Sequence, residues 1–99
     1  MTQEQLNRLA TEVTGEEQPE KAFSLTLESF LRRKMDQYRG TIDRLYAKYG
    51  LSFDAFTEKL GDELSLTWEH ERDFMAWEEA VTNLPYFEKK LEQLKAYAE

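Results

Sequence analysis

Two long apolar stripes with helical spacing, joined by a short elbow, constrain this chain more than any other feature. In the first, Leu31, Met35, Tyr38, Ile42, Leu45 and Tyr49 step by 4, 3, 4, 3, 4, the spacing that lines side chains along one face of an α-helix. Leu27 adds a further step of four, and the two successive fours form a stutter that locally relaxes a left-handed supercoil. Ser24 suits the N-cap and Gly50 the left-handed C-cap position. The expected helix covers 24–49, about 39 Å at ~1.5 Å per residue.

The second stripe starts near Thr67: Phe74, Trp77, Val81 and Leu84, then Phe87, Leu91, Leu94 and Ala98. Its join at Leu84 holds two successive steps of three, and Pro85 stands there. A mid-helix proline removes one hydrogen bond and crowds the preceding turn. One kinked helix over 67–97 satisfies this pattern, and so do two helices with Asn83 capping the second and Pro85 in its first turn. Because the stripe survives the proline with only a shift of register, the single helix is favoured.

Between the stripes, Leu51-Ser52-Phe53-Asp54-Ala55-Phe56 reads as the start of a short helix over 52–60. Ser52 is its N-cap, Leu51 and Phe56 form a hydrophobic staple, and Gly61 closes it. Ser65 or Thr67 then caps the last helix, whose first turns carry Glu69, Glu71 and Asp73 where the helix dipole favours negative charge. The predicted fold is all-α, a long antiparallel, coiled-coil-like hairpin (24–99) with a helical elbow, preceded by an N-terminal helical arm and polar linker (1–23).

Charge supports the antiparallel pairing. The net charge of −7 divides into −3 for residues 1–23, +3 for 24–49, −3 for 50–66 and −4 for 67–99. Centring the elbow near residue 58 sets Ile42 near Phe74, Tyr38 near Trp77 or Glu78, and Met35 near Val81, with Arg39, Arg44 and Lys48 along the acidic stretch Glu69 to Glu79. Exposed ion pairs contribute only ~0–1 kcal/mol each, so charge selects orientation and apolar burial must hold the hairpin.

Two helices make a thin core, yet Phe30, Tyr46, Phe53, Phe56, Trp68, Tyr86 and Tyr97 add to the stripes. The elbow helix can cover one end, with Phe53, Phe56 and Leu60 against Tyr49 and Trp68. The other end, around Leu27, Phe30, Phe87, Leu91 and Leu94, needs a different cover. The arm has its own stripe of Leu6, Leu9, Ala10 and Val13, ahead of the polar linker Gly15 to Glu20. Isolated helices of ~12 residues are marginal, so the arm docks on its own hairpin, docks on a neighbour, or awaits a partner. Leu6, Leu9, Val13, Phe30, Phe87, Leu91 and Leu94 are the candidate interface. Leu31, Met35, Tyr38, Ile42, Leu45, Tyr49, Phe56, Phe74, Trp77, Val81 and Leu84 are the candidate core.

Catalytic chemistry finds little footing. The single histidine, His70, precedes Glu71, but Phe74 stands where the zinc motif H-E-x-x-H needs its second histidine, and Thr67 where the di-iron motif needs glutamate. A solvated histidine in an acidic first turn is expected. Close carboxylates such as Glu78 and Glu79 follow from composition, and helix surfaces lack the cleft that general acid–base work requires. With no cysteine there is neither thiolate site nor disulfide. The expectation is a non-enzyme without cofactor or metal. Arg32, Arg33, Lys34, Arg39 and Arg44 form the one basic concentration, read as a solvated face beside an acidic helix rather than a nucleic-acid surface. Gly40, off the stripe, is either tolerated or marks a close contact with another chain. No apolar run approaches the ~20 residues of a membrane span, and Met1 to Gln5 lack the blocks of a signal peptide. A cytoplasmic protein is therefore expected.

Residues 46–56, Tyr-Ala-Lys-Tyr-Gly-Leu-Ser-Phe-Asp-Ala-Phe, followed by the tryptophan- and glutamate-rich run from Trp68-Glu69-His70-Glu71 to Trp77-Glu78, resemble a group of small prokaryotic helical proteins of the antitoxin-like kind encoded beside small toxins. The similarity spans about residues 27–97, rests on a helical pattern without a catalytic motif, and transfers no functional residue. It implies a neutraliser that masks a small basic protein. A homodimeric helical bundle in which the aromatics are buried structurally is the alternative, and a nucleic-acid-binding regulator using Arg32, Arg33, Lys34 and Arg39 is a weaker one.

Overall fold

The computed structural model describes residues 1–98, and the molecule is extended, 58 × 29 × 18 Å, with a radius of gyration of 19.1 Å. A compact chain of this length would have about 12.6 Å. Four helices follow one another: α1 (Gln3–Thr14), α2 (Pro19–Tyr49), α3 (Phe53–Lys59) and α4 (Trp68–Ala98). There is no strand among the described residues. Helices α2 and α4 form the hairpin, α3 folds over its closed end, and α1 packs on α2.

The start of α2 departs from expectation. The helix begins at Pro19, more than a turn before Ser24, because proline at the first helical position has its φ already set and Glu20 suits the first turn. Gln18 occupies the N-cap without a side-chain hydrogen bond, and Ala22 is fully buried. The polar linker therefore shrinks to residues 15–18, and the arm joins the hairpin almost directly. Gly15, with φ 77°, ends α1 in the left-handed conformation while its N–H donates to Thr11 O. At the head of α1, Thr2 and Gln5 form a reciprocal capping box.

The other helix ends follow the predicted chemistry. Gly50 terminates α2 at φ 64°, Ser52 Oγ accepts from Ala55 N at the head of α3, and Thr67 Oγ1 accepts from His70 N at the head of α4. Helix α4 runs unbroken through Pro85.

The register of the hairpin differs from the prediction. Tyr38 meets Phe87 rather than Trp77, with ring centroids 5.7 Å apart, whereas Trp77 stacks on Tyr49 at 6.2 Å. Met35 likewise joins Leu91, not Val81. Helix α4 is displaced toward the elbow by about ten residues, nearly three turns, so that its first turns overhang the end of α2. The elbow helix explains the offset: Phe53 and Phe56 need apolar surface, and the overhang offers His70, Phe74 and Trp77. Trp68 is not part of that cover. It is 78% exposed, because the α4 stripe extends backward through His70, about 200° around the helix from Trp68. The ion pairs shift with the register. Lys48 reaches Glu69 and Asp73, but Arg39 pairs with Asp36 and Glu88 rather than with the Glu69–Glu79 stretch.

Two apolar clusters result. Leu45, Phe56 and Trp77 form the closed-end cluster, with Ile42, Tyr49, Phe74 and Val81 partly buried around it. Leu31, Met35 and Leu91 form the second, flanked by Leu84, Phe87 and Leu94. A Cβ at Gly40 would meet nothing within 4 Å, and neither would one at Gly50, but only Gly50 has positive φ. Gly40→Ala should therefore stabilise the fold by about 0.5–1 kcal/mol, and Gly50→Ala should destabilise it by about 1 kcal/mol. Thermal unfolding followed by circular dichroism should show shifts of opposite sign.

Candidate interaction surface

At the end of the hairpin away from α3, the two long helices leave a groove of about 490 Å³. Helix α2 supplies Leu27 and Leu31, while α4 supplies Tyr86, Phe87, Lys90, Gln93 and Leu94. Phe30 lies beside it, its ring centroid 6.5 Å from that of Phe87. Leu27 and Phe30 remain 48% and 42% exposed, because no helix covers this end as α3 covers the other. The only charged side chain lining the groove is Lys90, whose Nζ sits 5.3 Å from the centre of the Tyr86 ring; Lys34 stands likewise over Phe30 at 5.9 Å. Cations held over aromatic faces keep their stems on apolar surface and their charge at the rim.

Helix α1 is the second part of the surface. Its most covered residues are Asn7, Ala10, Thr11 and Thr14, a largely polar or small stripe, and its substantial neighbour is α2. The apolar stripe of Leu6, Leu9 and Val13 is centred about 100° away around the helix. These three are 42%, 45% and 76% exposed. The arm thus docks on its own hairpin while leaving its apolar face in solvent.

The structure divides the sequence-derived interface residues. Leu6, Leu9, Val13 and Phe30 are exposed, Phe87 and Leu94 are half-buried, and Leu91 is buried in the Leu31–Met35 cluster. Leu91 is therefore core, because the register shift carries it opposite Met35. Tyr86, Lys90 and Gln93 were not legible as part of this surface: they lie off the α4 stripe, and only the helix pairing shows which flank meets Leu27.

A polar network holds the closed end. Asp73, 3% exposed, accepts from Lys48 Nζ at 2.7 Å and from Tyr49 Oη at 2.5 Å, and Lys48 also reaches Glu69 at 2.5 Å. Burial pushes the Asp73 carboxyl up, but the hydrogen bonds from Lys48 and Tyr49 and the Lys48 charge outweigh it, so the net shift is downward. The hydrogen bond from Lys48 lowers Glu69. The bonds to Asp73 and Glu69 raise Lys48, and burial followed by the bond to Asp73 raises Tyr49. His70 is less solvated than its sequence context indicates. It is half-buried, with Nδ1 2.7 Å from Ser65 O and its ring edge-on to Tyr49 and Phe56. No cluster of three or more metal-ligating side chains occurs among the described residues.

Comparison with protein-family models, curated proteins and solved structures gives no match for this chain.

Carboxylates whose folded pKa is depressed contribute stability above their unfolded pKa and lose it as pH falls through the folded value. Asp73 and Glu69 should therefore make the fold lose stability below about pH 4. Lys48 and Tyr49, raised in the folded state, contribute fully below their unfolded pKa, and that contribution declines above about pH 10. Asp73→Ala strands the Tyr49 hydroxyl and should cost about 1–3 kcal/mol at neutral pH. Urea unfolding across pH should also show a shallower acid limb for the variant than for the wild type.

Proposed function

We propose that this chain is a non-enzymatic protein–protein interaction module whose working surface is the open end of the hairpin together with the exposed face of α1. The observation that carries this reading is the exposure of apolar side chains in two places, Leu27 and Phe30 at an apolar groove and Leu6, Leu9 and Val13 on α1. Exposed apolar surface flanked by charge is characteristic of docking sites. The groups with shifted pKa values are gathered in the Asp73 network at the other end, where their hydrogen bonds to one another give them a structural role.

The resemblance to antitoxin-like proteins supports a second reading, in which a small basic protein docks at the opposite end of the molecule. Its natural place is the elbow, where Asp54, Glu58, Asp62 and Glu63 precede Glu69 and Glu71 in the chain and Leu66 and Trp68 are exposed. Acidic and apolar groups together would both steer and hold a basic surface.

Co-expression with the product of the neighbouring open reading frame, followed by affinity capture and chromatography of the complex, tests both readings. Under the antitoxin-like reading a complex forms, and Trp68→Ala weakens it about tenfold or more. Under the module reading, Leu27→Asp weakens association with a partner, whether that product or another copy of this chain. If the protein neither binds that product nor self-associates, the module reading fails.

A further inference from the structure

The groove at the open end and the exposed face of α1 match one another. The stripe from Leu6 to Val13 is about 10 Å long and the α4 wall from Tyr86 to Leu94 about 12 Å, each at ~1.5 Å per residue. Both are apolar, and their charges oppose. Glu4 pairs with Arg8 on the far side of α1, which leaves Glu12, Glu16 and Glu17 as the unbalanced charges of residues 1–18, whereas the groove is lined by Lys90 without a carboxylate and has Lys34 beside it. Helix α1 turns its apolar stripe away from the hairpin on which it rests, so its own groove is not what covers that stripe.

We propose that two copies of this chain associate through a two-fold interface in which α1 of each seats Leu6, Leu9 and Val13 in the groove of the other. This rests on the module reading and names its partner as a second copy. A helix laid apolar-side down in a groove is a common recognition mode, and a two-fold axis makes the contact twice because each copy carries both halves. Helix α1 keeps its seat on α2 through Asn7, Thr11 and Thr14, so no unfolding precedes docking. Surface area agrees. The chain exposes 7285 Å², about 1,400 Å² more than the roughly 5,900 Å² expected for a folded monomer of its mass. Stable interfaces remove ~800 Å² or more per partner. The extended shape therefore leaves more surface than an interface of that size requires.

The absence of cysteine from the sequence gives a clean test. Leu9→Cys and Gln93→Cys, made in separate chains and mixed under oxidising conditions, should form a disulfide-linked heterodimer. Leu9→Cys mixed with Glu58→Cys, at the elbow, should not. Sedimentation should give twice the 11.8 kDa chain mass, and Val13→Glu should weaken dimerisation about tenfold or more with its helical circular dichroism unchanged. A monomer at high micromolar concentration overturns the proposal, as does a dimer that fails to form the Leu9–Gln93 link or is indifferent to Val13→Glu. If the chain stays monomeric yet binds the neighbouring gene product through the same surface, the second-copy assignment falls and the module reading stands. If it binds neither, both fall.

Discussion

Two helices side by side touch along one line, and a line cannot exclude water from a large side chain. The structure solves this at Trp77. Its indole meets Tyr49 from α2 and both Phe53 and Phe56 from α3, and only 1% of it remains exposed. Full burial of an aromatic residue of this size contributes on the order of 1.5–3 kcal/mol. It needs all three elements at once. The offset of the hairpin, the overhang of α4 and the position of α3 are consequences of enclosing this ring.

The Asp73 network makes that arrangement specific. Apolar stripes with steps of three and four can slide by a heptad and still present an apolar face. A buried carboxylate cannot slide, because away from Lys48 and Tyr49 it would lose its hydrogen bonds inside the protein. The apolar clusters supply adhesion, while Asp73 distinguishes one alignment from its neighbours.

Periodicity was a dependable guide to what each helix is and a poor one to how the helices meet. The apolar steps located α2, α3 and α4, and the residues Gly50, Ser52 and Thr67 marked their ends, because caps and stripes are local matters of backbone hydrogen bonding and spacing. Elbow midpoint arithmetic misaligns the pairing because it treats the connection as symmetric. Phe53 and Phe56 instead draw α4 past the end of α2. Pro19 in a polar stretch reads as linker although the first helical turn tolerates it, so the sequence pattern starts α2 too late. Of the interaction surface, the apolar residues of α1 and Phe30 were visible in the sequence. Lys90, Tyr86 and Gln93 were not, since membership of a groove depends on the neighbouring helix. Asp73 looked like one more acid in a charged first turn, and its burial follows only from the realised register.

Pro85 has a mechanical consequence. It lies on the exposed side of α4, between Val81, which packs on the closed-end cluster, and Phe87, which packs on the other. Lacking an N–H, it leaves the Val81 carbonyl without its helical donor at the boundary between the two cores. Cooperativity along α4 is weakest at this point. A local opening of the groove end would then leave the elbow, braced by Trp77 and Asp73, intact. Amide protons beyond Pro85 would then exchange through local openings that cost less than global unfolding. Adjustment at the tip would in that case not consume the stability of the whole.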